Sequence, residues 1–287
     1  MKKILLAEPR GFCFGVENAL KIVNKSLRKY KKPLYVFNEI VHNKTIVTQL
    51  EKKGVIFTQN VDVIPKGTTV IISAHGISPL IYEKLRKKKL NILDATCPLV
   101  KKVHSEASFY TREGYHIIYI GNKEHEEAIG VLGETKKNVS IVEKEADITK
   151  IKTGLKKYVV LTQTTLNIFE TEKLFKKIRE AFPWVTFPDK KDMCRATTER
   201  QLAVQKLAAE CDAFLIIGSQ NSSNSKKLKE VAEASGCRSY LIDSYKDIQP
   251  GWLTSVNTVG VSSGASASDE LVTKTIEHLV KKYGFEV

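Results

Sequence analysis

The chain has 287 residues, 42% of them hydrophobic, which suffices for a large core and for two or three small lobes. Its longest apolar runs, "AFLII", "HIIYI" and "YVVL", are far too short to cross a bilayer, so no membrane association is expected. The 46 Lys and Arg against 32 Asp and Glu leave a net charge of +14, which favours anionic partners such as nucleic acid, phosphorylated metabolites or acidic proteins. The lysines scatter in pairs and one triplet (87–89) without forming a tail, so a solvated basic surface is an equal reading of that charge.

The first expected strand is 3–7. Its "ILLA" is broken by Glu8, Pro9 and Arg10, too little for a signal peptide. A cytoplasmic location is therefore expected, or an organellar stroma if a transit peptide has been removed. "GFCFG", 11–15, follows and sets Cys13 ahead of a helix. Further strands are expected at 34–37, 69–73, 90–93, 116–120, 139–142, 158–161, 213–217, 239–242 and 258–261. Helical stretches fit between them. "NKTIVTQLEKKG" offers Asn43 as N-cap and Gly54 as its stop. "SPLIYEKLRKKK" offers Ser78 as N-cap with Pro79 at the first helical position. "PLVKKVHSEASFYTREG", "IFETEKLFKKIREAF", "ATTERQLAVQKLAAE", "SNSKKLKEVAEASG" and "SDELVTKTIEHLVKKYG" follow the same logic. This alternation predicts an α/β fold with parallel-rich sheets.

Five strand-to-helix turns are rich in small polar residues: "SAHG" (73–76), "GNKEHEE" (121–127), "TQTT" (162–165), "GSQNSSN" (218–224) and "SSGAS" (262–266). Ligands of open α/β sheets bind beyond the carboxyl ends of the strands, where helix N-termini favour anions. Helix capping explains any one of these turns. "GSQNSSN" exceeds that need, because one cap uses one side chain.

Cys13, Cys97 and Cys194 each follow a strand-like run and precede a helix, with spacings of 84 and 97 residues. Three similar lengths of chain each carry one thiol at an equivalent place. This predicts three similar lobes, 14–96, 97–193 and 194–287, the last completed by 1–13, in a pseudo-threefold arrangement. Thiols at helix N-termini favour the thiolate, and three converging thiolates suit a soft metal or an iron–sulfur cluster. On spacing alone a buried structural thiol remains the favoured reading at each. Cys211 and Cys237 sit at strand beginnings and read as structural. There is no C-x-x-C, no P-loop and no G-x-G-x-x-G, which removes support for zinc ribbons, thioredoxin chemistry and nucleotide cradles.

In order, "PRGFCFGV", "VHN", "SAHG", "DATCPLV", "TQTTL", "CRATTERQ", "GSQNSSNS" and "GVSSGASAS" resemble the motifs of the 4-hydroxy-3-methylbut-2-enyl diphosphate reductases, the last enzymes of the methylerythritol phosphate route to isoprenoids. The likeness covers nearly the whole chain. It implies three α/β lobes around a central 4Fe–4S cluster held by Cys13, Cys97 and Cys194, with one iron open to substrate. The implied substrate is an allylic alcohol diphosphate, reduced by two electrons and two protons to isopentenyl and dimethylallyl diphosphate with loss of water. His42, His75 and His125 correspond to diphosphate-facing histidines, whose cationic imidazoles would add positive charge. Ser222, Ser223, Asn224 and Ser266 correspond to further diphosphate ligands. Glu127 corresponds to the proton donor and Thr164 to the hydroxyl linking it with the substrate alcohol. This chain carries Glu126 where the family usually has proline, so two adjacent glutamates compete for the donor role, and motif spacing favours Glu127. The resemblance also implies a flavodoxin or ferredoxin-type electron donor.

Two other readings are weighed. Another threefold α/β iron–sulfur lyase, resembling quinolinate synthase, would also use three scattered cysteines, but "SAHG", "HEE" and "NSSN" argue for a diphosphate site. A nucleic-acid-binding protein would need a basic stripe interleaved with aromatics, which this sequence lacks.

Overall fold

The computed structural model describes residues 1–135, 137–188 and 192–287. In chain order its strands are β1 (Lys2–Leu6), β2 (Leu34–Phe37), β3 (Val55–Thr58), β4 (Thr69–Ile72), β5 (Asn91–Asp94), β6 (His116–Ile120), β7 (Val139–Val142), β8 (Tyr158–Thr162), β9 (Ala213–Ile217), β10 (Arg238–Ile242), β11 (Thr258–Ser263) and β12 (Phe285–Glu286). The α-helices are α1 (Phe14–Lys29), α2 (Lys44–Lys52), α3 (Pro79–Lys87), α4 (Pro98–Arg112), α5 (Glu126–Leu132), α6 (Ile168–Ala181), α7 (Arg195–Ala208), α8 (Ser223–Ala234) and α9 (Asp269–Tyr283).

Each expected strand is present within a residue or two. Two more were not expected. β3 is an edge strand in which only Val55 is buried, and β12 has two residues defined by pairing with Lys2 and Lys3. The expected caps also hold: Asn43 Oδ1 accepts from Ile46 N–H at 3.0 Å, and Ser78 Oγ accepts from Ile81 N–H at 3.5 Å ahead of Pro79. Among the described residues no helix is long and apolar enough to cross a membrane.

The strands form three sheets, and every pairing between them is parallel. The chain divides into two compact units. The first comprises Met1–Val16, His42–Thr48 and Cys194–Val287. It contains the five-stranded sheet β10-β9-β11-β1-β12, in which the first strand of the chain lies between β11 and β12. Ile4, Leu215, Ile217, Val259 and Val261 share its core with Leu279 and Phe285.

The second unit comprises Glu17–Val41 and Gln49–Met193 and contains the sheets β3-β2-β4-β5 and β7-β6-β8. All residues of β6, β8 and β9 are buried, as a parallel sheet covered on both faces demands. That is why "HIIYI" and "AFLII" are continuous apolar runs without polar alternation.

Because the pairings are parallel, the turns that follow neighbouring strands lie on one edge of their sheet. The backbone ties them together there. Cys13 N–H donates to Ala265 O at 3.0 Å, laying "GFC" beside "SSGAS". Cys97 N–H donates to Ala74 O at 3.0 Å, laying "DATC" beside "SAHG". Gln163 N–H donates to Ile120 O at 2.8 Å, laying "TQTT" beside "GNKEHEE".

Gly260 on β11 stands opposite Phe214 on β9, and a Cβ there would lie 2.4 Å from two ring carbons of Phe214. Gly260→Ala is therefore expected to overpack the first unit's sheet and cost about 1–3 kcal/mol, read as a lower urea midpoint at unchanged slope.

Candidate active site

In the first unit the "RGFC" turn is held from two sides. Gly11 adopts φ +78°, the left-handed region that glycine enters without strain. Its N–H donates to Ser263 Oγ at 2.8 Å, and its carbonyl accepts from Arg200 Nη2 at 2.7 Å. Arg200 comes from α7, whose N-terminus follows Cys194, and its Nη1 also donates to Ala196 O at 3.0 Å. The guanidinium is 2% exposed, and its Nε–H has no partner among the described residues. Burial pushes its pKa down, while Cys13 and Cys194, both within electrostatic reach, oppose that.

The thiols fit iron–sulfur ligation. Cys97 and Cys194 occupy the N-cap positions of α4 and α7, yet neither side chain makes a capping hydrogen bond. Ser, Thr, Asp and Asn are the residues that cap best, so capping does not account for a thiol at either position. Cys13 directly precedes α1. All three therefore stand at helix N-termini, the end of a helix that favours negative charge. A buried cation beside Cys13 and Cys194 suits anionic ligands on those two sulfurs.

A second group in the first unit surrounds the start of α8. Ser222 caps it, accepting from Ser225 N–H at 3.4 Å, and Ser225 Oγ donates to Ser222 Oγ at 3.1 Å. Ser225 fills the space that Cβ atoms on Gly218 and Gly264 would occupy, at 2.1 and 2.0 Å from its Oγ. Both turns need glycine to approach this helix. Asn224 is 4% exposed, and neither its Oδ1 nor its Nδ2 has a hydrogen-bond partner among the described residues. A buried amide left unpaired costs about 1–3 kcal/mol unless a ligand completes it. Ser223 is the first residue of α8. Ser266 Oγ donates to His42 O at 3.0 Å and Asn43 Nδ2 donates to Ser266 O at 2.8 Å, which clips "VHN" to "GASAS".

In the second unit Glu127 lies near the start of α5, 2% exposed. Thr164, after β8, meets both carboxylate oxygens. Its N–H donates to Oε1 at 2.7 Å and its Oγ1 to Oε2 at 3.0 Å. Burial raises the Glu127 pKa from 4.5 to about 7, against the lowering effect of both Thr164 bonds, and the charge of Asp192 adds to the rise. Asp192 is itself 4% exposed, paired with Lys102 at 2.6 Å, and accepts from Thr162 N–H at 3.1 Å.

Glu126 points elsewhere: its Oε2 lies 3.0 Å from His75 Nδ1. The two glutamates thus have separate surroundings, which the sequence leaves open. His75 and His125 stand edge to face, 5.8 Å apart. His125 caps α5, its Nδ1 accepting from Glu127 N–H at 3.2 Å. With Nδ1 accepting, a neutral ring carries its proton on Nε2.

The remaining cysteines, and His104 and His116, have other surroundings. Burial raises the Cys211 thiol to about 12 and also raises Cys237, whose Sγ lies 3.2 Å from Cys211 O. His104 pairs with Glu134 at 3.2 Å and His116 with Ser140 Oγ at 2.8 Å. The sequence reading singled out neither Arg200 nor Asp192. Arg200 lies inside "CRATTERQ", and the signal was an arginine on the turn of α7 that follows Cys194 by six residues. Asp192 carries no local signal, because only tertiary contact brings it to Thr162 and Lys102.

A family model described as LytB protein matches residues 4–280. The curated 4-hydroxy-3-methylbut-2-enyl diphosphate reductase of Mycobacterium leprae is 45% identical over 288 residues, covering 100% of this chain and 86% of its own. That of Streptomyces coelicolor is 45% identical over 287 residues, covering 99% of this chain and 85% of its own. The solved E-1-hydroxy-2-methyl-but-2-enyl-4-diphosphate reductase of Plasmodium falciparum superposes with a TM-score of 0.97 at 37% identity, covering 99% of this chain and 91% of that one. A second solved structure, of (E)-4-hydroxy-3-methyl-but-2-enyl diphosphate reductase, gives a TM-score of 0.68 at 36% identity over 97% of this chain and 99% of that one. With the family model spanning nearly its full length, the chain belongs to the LytB family of iron–sulfur enzymes.

Proposed function

We propose that this chain reduces (E)-4-hydroxy-3-methylbut-2-enyl diphosphate to isopentenyl and dimethylallyl diphosphate. The allylic C–O bond breaks and two electrons enter. One proton goes to the departing hydroxyl, which leaves as water, and the other forms the new C–H bond. The observation that carries the reading is the buried Glu127–Thr164 pair, a carboxyl group whose pKa sits near 7 and whose partner is a hydroxyl. A carboxylic acid that still holds its proton near neutrality is what a departing hydroxyl requires. The family relationship favours this reduction over a lyase resembling quinolinate synthase.

Cys13, Cys97 and Cys194 are the proposed ligands of a 4Fe–4S cluster, in keeping with the three lobes proposed from their spacing. When bound, such a cluster supplies the electrons and, at an iron without a protein ligand, Lewis acidity toward the substrate oxygen. The chain's own residues do the rest. Glu127 holds a proton, and Thr164 Oγ1 orients the carboxyl and stands as the hydroxyl between it and the substrate alcohol. Asn224, Ser222, Ser223 and Ser266, with the N–H groups at the start of α8, offer donors to a diphosphate without a P-loop. His42, His75 and His125 are proposed to face the same anion, His125 through its Nε2–H. A small flavodoxin or ferredoxin-type protein is the proposed electron donor, and the excess of basic residues gives it electrostatic complementarity.

Glu127→Gln is expected to bind the alcohol diphosphate while kcat falls about 100- to 10,000-fold. An inactive Glu126→Gln beside an active Glu127→Gln would move the donor by one residue. In the wild type the rate should fall as pH rises through about 7. Stability follows the same group. The folded carboxyl keeps its proton to about 7 and the unfolded one to about 4.5, so the folded state binds the extra proton between them. That contribution, on the order of 3 kcal/mol, is complete below the unfolded pKa and lost as pH rises through the folded one. Denaturant midpoints across that window should show the loss in wild type and not in Glu127→Gln.

After anaerobic reconstitution, iron and sulfide analysis should show loss of the brown chromophore in Cys13→Ser, Cys97→Ser and Cys194→Ser and its retention in Cys211→Ser and Cys237→Ser. A colourless Cys211→Ser would overturn the ligand set. Asn224→Ala should raise KM for the diphosphate about 10- to 100-fold, measured by steady-state kinetics with an artificial reductant.

A further inference from the structure

Arg200 is among the largest fully buried side chains of the described protein, and neither catalysis nor diphosphate binding uses it. Burying a guanidinium is costly unless anions or a full set of acceptors receive it. Its hydrogen bonds go to two neutral carbonyls, Gly11 O at 2.7 Å and Ala196 O at 3.0 Å, and Nε–H is left over. Among the described residues it forms no salt bridge with a carboxylate. Cys13 and Cys194 lie within its electrostatic surroundings, as do the carboxylates of Glu199 and Asp269. The sequence joins it to the same two thiols: it lies six residues after Cys194, and it grips the carbonyl two residues before Cys13.

We propose that Arg200 is a positioning residue whose fixed positive charge offsets the negative charge of the Cys13 and Cys194 sulfurs and thereby raises the reduction potential of the cluster they hold. This rests on the ligand assignment proposed above and adds to it the residue that tunes the site. The chemistry is charge balance. Adding an electron to an anionic thiolate-ligated centre is opposed by the charge already present, and a cation held in a low-dielectric interior reduces that opposition far more than one in water. Net charge and hydrogen bonds near the sulfurs are the levers a protein has over such potentials. The bond to Gly11 O ties the guanidinium to the turn that carries Cys13.

The test is an anaerobic redox titration followed by electron paramagnetic resonance, on reconstituted wild type, Arg200→Lys and Arg200→Gln, with iron and sulfide measured on each. Arg200→Gln should be at least tenfold harder to reduce, a shift of about 59 mV to more negative potential for one electron. Arg200→Lys, which keeps the charge, should restore most of that difference. A cluster retained by Arg200→Lys but lost from Arg200→Gln also supports the proposal. Three results overturn it: Arg200→Gln loads with the wild-type potential, Arg200→Lys shifts as far as Arg200→Gln, or both lose the cluster with the helical circular dichroism intact. Wild type that takes up no iron would overturn the ligand assignment itself. Loaded variants of unchanged potential would overturn this inference alone.

Discussion

Parallel pairing is the constraint on which the rest depends. In a parallel sheet all strands end on one edge, so the turns that follow neighbouring strands are brought side by side there. The helices that begin in those turns aim their free N–H groups the same way. Thus "GFC" meets "SSGAS", "DATC" meets "SAHG", and "TQTT" meets "GNKEHEE" through single backbone hydrogen bonds near 3 Å. Cys13 and Cys97 are placed by such bonds from their backbone N–H groups, and Glu127 is held by two bonds from Thr164 to its carboxylate. The fully buried strands behind the turns supply the rigidity, and the turns can then specialise in polarity.

Three buried polar groups carry the functional character of the two units, and each is unfavourable by itself. Glu127 is a carboxyl group without enough solvent to ionise below neutrality. Asn224 is an amide with neither atom paired. Arg200 is a cation received mainly by neutral carbonyls. A core built for stability alone would replace all three by apolar groups of similar volume. In the proposed function they are preorganised groups: a proton held for transfer, a donor and acceptor held for an anion, and a charge held near thiols. Other polar side chains are received directly: His116 meets Ser140 Oγ at 2.8 Å, and His104 meets Glu134 through Nδ1 at 3.2 Å.

Much of this was legible before any coordinates. The strands follow from short β-branched runs and the helices from their periodicity and caps, because both patterns are local. β3 and β12 were missed for the same reason. One is a half-exposed edge and the other two residues long, so partners rather than composition define them. Asn43 was legible as a cap, and its second bond to Ser266 was not. The adjacent Glu126 and Glu127 were chemically equivalent on paper. Their separation into a partner of His75 and a partner of Thr164 is a property of the α5 geometry.

What the sequence by itself determined is the order of elements and the kind of chemistry each turn can carry, since propensity, capping and residue type act over a few neighbouring positions. What only the tertiary structure decided is which of those side chains lose water and to whom they are bound. Gly11 shows the reason. Its carbonyl meets a side chain 189 positions away and its N–H one 252 positions away, separations over which no local pattern carries information. Burial, and with it the raised pKa of Glu127 and the confined charge of Arg200, is set by such distant segments closing over one another.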